Sequence, residues 1–193
     1  MSAAQRTFAA LVHHPVYDRH HAVVTTAVTN LDIHDIARSV RSYGLGGYFL
    51  VTPIERQRDM IARILGHWQD GRGREVHPDR AEALARVAVV ASVEEARERA
   101  GAGCQTTATA AQLRGETGAK IMGYDAWCAE VASTRAPQLL LFGTGWGLTD
   151  EVLRSADRIL LPIQGKSDYN HLSVRSAVAV TLDRLFGDRA GDA

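Results

Sequence analysis

The sequence predicts a mainly parallel α/β sheet covered by helices on both faces. Strand-like apolar segments alternate with helix-period segments along the chain, the pattern of a parallel sheet with crossover helices. The run Leu139, Leu140, Leu141, Phe142 is apolar without alternation, as a strand buried on both faces requires. It stops at a glycine-rich turn, GTGWGL at 143–148, and helix-forming sequence follows. By pattern alone the fold is doubly wound α/β. There are no internal repeats and no linker, and 193 residues read as one domain with enough chain to bury a core unaided.

Taken in order, residues 8–12 form a first strand, followed by the polar loop HHPVYDRHH, and 23–28 extend or border it. Asp32 caps a helix with Ile33, Ile36, Ala37 and Val40 inward, closed by Gly44. Residues 48–52 make the next strand, ended by Pro53, and an amphipathic helix carrying Met60, Ile61, Ile64, Leu65 and Trp68 runs to Gln69. Residues 70–78 (DGRGREVHP) read as a solvated turn, 79–85 as a short helix and 87–91 as a strand. Ser92 and Glu95 form a capping box opening a helix to Ala100. Residues 103–108 are a strand running into the small-residue loop TTATAAQLRGETGAK, and 124–133 are a helix. After Pro137 and the 139–142 strand, Thr149 caps a helix whose first turn holds Asp150 and Glu151, complementing the helix dipole. Residues 159–163 are a strand and 164–170 a loop. The last helix places Leu172, Val174, Val178, Leu182, Leu185 and Phe186 on one side, and Gly187 ends it as a left-handed cap. Three tight loops then meet at the carboxyl ends of neighbouring strands, where open α/β sheets bind ligands.

The totals exclude several classes. Apolar residues make up 46% and charged residues 23%, an ordinary globular balance, and with a formal net charge of zero nothing announces a nucleic-acid binder, so any such contact must come from a local patch. Two isolated cysteines without a C-x-x-C motif fit a reduced, cytoplasmic protein. No apolar run approaches the ~20 residues of a membrane span, and the first residues lack a signal peptide's apolar core. His13, His14, His20 and His21 crowd one segment, with His34 and His171 as neighbours, yet no spacing matches a metal site. A surface or RNA-facing role is the reading, with no metal expected. Trp68 and Trp127 read as core, while Trp146 stands in the glycine loop, placed to cover a ligand or a partner subunit.

GTGWGL has three readings. It is a tight turn before a helix; or a dinucleotide fingerprint; or a loop whose glycines let backbone N–H groups approach a cofactor. The second fails, because that fingerprint belongs to the first βαβ unit with an acidic residue about 20 positions on, at the end of the next strand. Here the loop lies near the end of the chain, and position 163 is Ile.

The order FGTGWGLTDEVLRSADRILLPI followed by DYNHLSVRSAVAVTLDRL resembles the last two motifs of the SPOUT superfamily of RNA methyltransferases. The similarity is to the SpoU-like branch, and within it to small stand-alone bacterial RNA methyltransferases carrying DYNHLSVRSA. It spans nearly the whole chain, from Leu11 to Leu185. The resemblance implies an α/β knot, with a C-terminal trefoil in which the last helix threads the preceding loop, and a homodimer with the knot at its interface. It implies methyl transfer from S-adenosylmethionine (SAM) to tRNA or rRNA, on a ribose 2′-oxygen or a base nitrogen. The cofactor residues it implies are Thr106, Thr107, Phe142, Gly143, Thr144, Gly145, Gly147, Leu161, Ile163, Gly165, Asn170, His171, Leu172 and Ser173. Backbone and apolar groups around Leu161-Pro162-Ile163 and Asn170-His171-Leu172-Ser173 would hold the adenine, which needs apolar faces and a few fixed partners.

The SpoU-like first motif, N-x-G-x-x-x-R-[ST], corresponds to the segment from Asp32 to Ser39, and its arginine to Arg38. The resemblance makes Arg38 catalytic, orienting a phosphate and stabilising a developing alkoxide, since a guanidinium does not give up its proton. By position alone it is a solvated helix arginine like Arg41. Asp32 and His34 replace the family's Asn and Gly. The other function class left open is a non-catalytic SAM- or nucleotide-binding module associated with RNA.

Overall fold

The computed structural model describes residues 1–69, 72–113 and 118–188. Among the described residues the strands are β1 (Thr7–Val12), β2 (Val16–Tyr17), β3 (Val23–Val24), β4 (Gly47–Val51), β5 (Val87–Val90), β6 (Gln105–Ala108), β7 (Lys120–Met122), β8 (Gln138–Gly143) and β9 (Arg158–Leu160). The helices are α1 (Asn30–Ser42), α2 (Glu55–Gln69), α3 (Arg72–Val76), α4 (Pro78–Leu84), α5 (Val93–Ala100), α6 (Tyr124–Ser133), α7 (Asp150–Ser155) and α8 (Val174–Phe186). Seven strands form one sheet in the order β5-β4-β1-β8-β6-β9-β7, every pairing parallel, and β2 and β3 make a separate antiparallel hairpin.

Successive residues of β1 point to opposite faces, so Ala9 and Leu11 join one core and Ala10 and Val12 the other. The first core takes α1, α2, α4, α6 and α8; the second takes α5, α7 and Val16 of the hairpin. Val178, Leu182 and Leu185 of α8 are buried within their own chain. One polar cluster lies under the sheet. Arg158 donates to Glu130 (2.7 Å), Gln105 (2.9 Å) and Gln138 (3.4 Å), so its buried charge is paired rather than stranded.

The parallel sheet and its two helical layers agree with the sequence expectation, and several details differ. Thr29, not Asp32, caps α1; Asp32 is the third helical residue and completes a reciprocal capping box. At α5 Ser92 accepts from Glu95 N–H, but the Glu95 carboxylate reaches Ala91 N–H instead of closing the box. The expected turn at 70–78 contains α3, while residues 70 and 71 lie outside the described part. The small-residue loop ends in an unexpected edge strand, β7. The strand expected at 159–163 ends at Leu160. Gly187 has φ −67°, so it is no left-handed cap; an added Cβ there would lie 2.5 Å from the Asp183 carbonyl oxygen. Met60 is exposed, and Leu172 precedes α8 rather than belonging to its apolar face. Finally β8 and β9 are not neighbours, because β6 runs between them.

Candidate active site

β1 and β8 pair so that Val12 lies opposite Gly143 at their carboxyl ends. From β1 the chain crosses through α1 to β4 on one side; from β8 it crosses through α7 to β9 on the other. This reversal leaves a crevice over the strand ends, the place where doubly wound sheets bind ligands.

The β2–β3 hairpin closes one side of that crevice by packing on the glycine loop. Tyr17 N–H donates to the Gly147 carbonyl (2.9 Å), Trp146 N–H donates to the Tyr17 carbonyl (2.8 Å), and Val16 bridges Leu148. Gly145 has φ +58°, and a Cβ there would meet the Tyr17 oxygen at 2.8 Å. The glycine at 145 is thus demanded by the hairpin's approach as well as by the backbone angle. On the opposite side, Asn170 donates to the Ala111 carbonyl (3.0 Å), tying the loop before α8 to the loop after β6.

Between these walls lies a cleft of about 740 Å³, within the ordinary range of ligand pockets. Its lining is aromatic and apolar (Tyr17, Tyr124, Phe142, Trp146, Leu148, Leu161, Ile163) and backbone-rich (143–147, 109–112, 170–173). The charged lining residues are Asp32 and Asp150; no Lys or Arg lines it among the described residues. Asp32 accepts from the Thr29 hydroxyl (2.6 Å) and, on its other oxygen, from Arg175 of α8 (3.2 Å), which also reaches Asp35.

A hydrogen-bond chain runs along the floor. The Thr144 hydroxyl donates to the Val12 carbonyl (3.0 Å), which makes it the acceptor of the Thr26 hydroxyl 2.6 Å away. In that order Thr26 Oγ1 accepts from His13 Nδ1, at 2.9 Å. We assign this order, which puts the imidazole proton on Nδ1 and a lone pair on Nε2; the reverse order, with Thr26 donating to Nδ1, would put the proton on Nε2. His13 is fully buried, lines the cleft, and its Nε2 has no partner among the described residues. Burial lowers its pKa to about 4, opposed by the nearby Asp32 carboxylate, so the ring is neutral at physiological pH.

Of the residues the sequence singled out, Phe142, Gly143, Thr144, Gly145, Gly147, Leu161, Ile163, Asn170, His171, Leu172 and Ser173 all line this cleft. Gly165 lines an adjoining cavity of about 590 Å³ that shares Leu161 and Asn170 with it. Thr106 and Thr107 line neither: Thr106 binds the Asp157 carboxylate through N–H and hydroxyl, and Thr107 accepts from Trp127 Nε1 (2.9 Å). Arg38 is exposed on α1 and also lines neither cavity. Trp127 is buried and Trp68 half-buried, while Trp146 is 56% exposed at the cleft mouth. His34 packs edge-on to Trp68 (5.5 Å). His13, read from sequence with a surface group, is instead floor, and Thr26 and Asp32 join it there; the only signal was their mixture of short polar side chains around a predicted helix start.

The chain matches a family model described as SAM-dependent RNA methyltransferase over residues 6–187, and it belongs to that family. A protein named tRNA (guanine-N(1)-)-methyltransferase from Oleidesulfovibrio alaskensis is 44% identical over 185 residues, covering 94% of this chain and 42% of that protein. A relative of the same name from Nitratidesulfovibrio vulgaris is likewise covered over 42% of its length, so the chain spans less than half of these two proteins. An uncharacterized Aquifex aeolicus protein is 35% identical, with 94% of this chain and 89% of that protein covered. Among solved structures, a probable methyltransferase from Bordetella pertussis superposes with TM-score 0.65 at 19% identity, covering 95% of each chain. TrmJ from Z. mobilis gives 0.62 at 18%, covering 95% of this chain and 69% of that one. The A. aeolicus TrmH/SpoU tRNA modifying enzyme gives 0.53 at 15%, with 93% and 72% covered. At these identities the likeness is one of fold alone.

Proposed function

We propose that this member of the SAM-dependent RNA methyltransferase family holds SAM in the cleft above β1 and β8 and transfers its methyl group to RNA. The observation that carries the reading is the character of the lining. Aromatic and aliphatic walls with exposed loop backbone suit an adenine. Asp150 and the Arg175-paired Asp32, without a lining Lys or Arg among the described residues, suit a cationic sulfonium better than a dinucleotide's phosphates. When bound, SAM supplies an electrophilic methyl on a positively charged sulfur. The chain's task is then to hold the accepting atom in line with it and exclude water. Trp146 at the mouth, the hairpin and the 161–173 segment are placed to enclose the ligand. The names of the two relatives favour tRNA as the RNA; because the chain spans 42% of them, the guanine-N1 specificity in that name belongs to whole proteins of greater length.

Several finer points are part of this proposal. The insertion of β8 between β1 and β6, and of β9 between β6 and β7, supports a threaded, knotted C-terminus. The DYNHLSVRSA sequence supports the small stand-alone branch. A cytoplasmic homodimer is part of the reading; exposed Tyr169, with the cleft-rim residues Leu161 and Leu172, offers it more apolar surface than α8, whose apolar face is already covered. Arg38 orients an RNA phosphate from the outer face of α1. Its position off the cleft is also what favours the second reading, a non-catalytic SAM-binding module. Tritium-labelled methyl transfer from SAM to total tRNA and rRNA from a strain lacking the gene separates the two: label in RNA supports the enzyme, and SAM binding without label in any RNA supports the module.

A further inference from the structure

We propose that His13 is the general base of the reaction, its Nε2 accepting the proton that the methyl-accepting O–H or N–H of the RNA must lose. This rests on the reading of the cleft as a methyltransferase site. A buried ring nitrogen without a partner is uncommon in a folded protein and asks for an explanation. Here the Thr144–Thr26 chain holds the imidazole by Nδ1 and leaves the lone pair on the opposite edge, in a residue that lines the cleft floor at the β1/β8 switch point. Among the described residues the other cleft-lining bases are placed differently: Asp32 is engaged by Thr29 and Arg175, Asp150, His21 and His171 are exposed, and a guanidinium such as Arg38 does not deprotonate.

The step balances. The bond from sulfur to the methyl carbon breaks and its electron pair stays on sulfur; the bond from the RNA oxygen or nitrogen to that carbon forms; the proton of the O–H or N–H passes to His13 Nε2. The imidazolium so formed sits near the Asp32 carboxylate, whose attraction favours it, and later releases its proton to solvent. A weak base serves, because the proton becomes strongly acidic as its atom bonds to the methyl group. Among the described residues the titratable and charged groups facing the same cleft are Asp32 of α1 with Arg175 of α8 behind it, Tyr17 and His21 of the hairpin, Tyr124 of α6, Asp150 of α7 and His171 before α8.

The test uses two variants, single-turnover transfer of labelled methyl to tRNA from a strain lacking the gene, and calorimetric SAM binding. His13→Asn keeps a donor near the Nδ1 position for Thr26 and deletes Nε2; His13→Gln restores a hydrogen-bond acceptor near Nε2 that does not take up a proton. Transfer is expected to fall about 100-fold or more in both, the scale of general-base catalysis, with the SAM dissociation constant within about threefold of wild type. Transfer by His13→Asn within about threefold of wild type overturns the proposal. So does rescue by His13→Gln, which would make the residue an orienting acceptor only. Loss of SAM affinity in step with transfer overturns it as well, by making His13 a cofactor contact. A wild-type protein that binds SAM and labels no RNA removes the underlying reading, an outcome distinct from the others.

Discussion

Lowering the pH from 7 to 5 should destabilise the wild-type protein more than its His13→Asn variant, by an amount that follows from burial. The His13 pKa is about 4 in the folded protein, and 6.5 is its ordinary value. Between those values the unfolded chain binds a proton that the folded one refuses, so stability is full above pH 6.5 and falls as the pH drops toward 4. The shift of 6.5 − 4 is about 2.5 pH units, or about 3 kcal/mol when fully expressed. Between pH 7 and 5 roughly 2 kcal/mol of this is lost. Asparagine does not titrate, and the carboxylates and other histidines are common to both proteins. The assay is urea denaturation at half-unit pH steps, read as the wild-type minus variant difference in unfolding free energy. A difference that is flat between pH 7 and 5 would refute a neutral, desolvated His13.

Other perturbations test other parts of the account. Gly145→Ala puts a Cβ 2.8 Å from the Tyr17 carbonyl at φ +58°; it should cost on the order of 1–3 kcal/mol and weaken SAM binding at least tenfold, read by thermal denaturation and calorimetry. Arg158→Ala leaves the buried Gln138 Oε1 without its donor, while Glu130 keeps Lys120 and Gln105 keeps Gln138 Nε2; it should cost about 1–3 kcal/mol in urea unfolding, whereas loss of an exposed pair such as Arg41–Glu82 should cost under about 1 kcal/mol. Trp146, exposed at the cleft mouth, should change its fluorescence on addition of S-adenosylhomocysteine, and Trp146→Phe should remove that signal. Arg38→Ala should lower single-turnover transfer with SAM affinity within about twofold, because Arg38 lies outside the cleft lining. Wild-type turnover would make it an ordinary surface arginine.

The sheet was legible because strands such as β1 and β8 are continuous apolar runs and most helices carry a buried stripe. What escaped detection was short or polar. β7 is three residues, Lys120 to Met122, after a loop with no apolar pattern. α3 is RGREV, whose packing comes from Gly73 lying against Trp68 rather than from an apolar face. Asp32 was read as a cap because a lone Asp before an apolar run looks like one; only the reciprocal bonds to Thr29 identify it as the third helical residue. At the site, the loops at 143–147, 161–163 and 170–173 were found through motif resemblance, which transfers local sequence well. His13 was hidden among four clustered histidines. Its partner Thr26 is 13 residues away, and Thr144 lies 118 residues beyond Thr26, distances that local pattern does not bridge. Resemblance also implied Thr106 and Thr107, whose hydroxyls the fold spends on Asp157 and Trp127.

The account's central claim is that this cleft passes a methyl group from SAM to RNA. The direct measurement is nucleoside mass spectrometry of tRNA and rRNA from the parent strain, from a strain lacking the gene, and from the latter after incubation with purified protein and SAM. The account predicts one methylated nucleoside that is depleted in the deletion strain and restored by the protein. Identical nucleoside profiles in all three samples would contradict it.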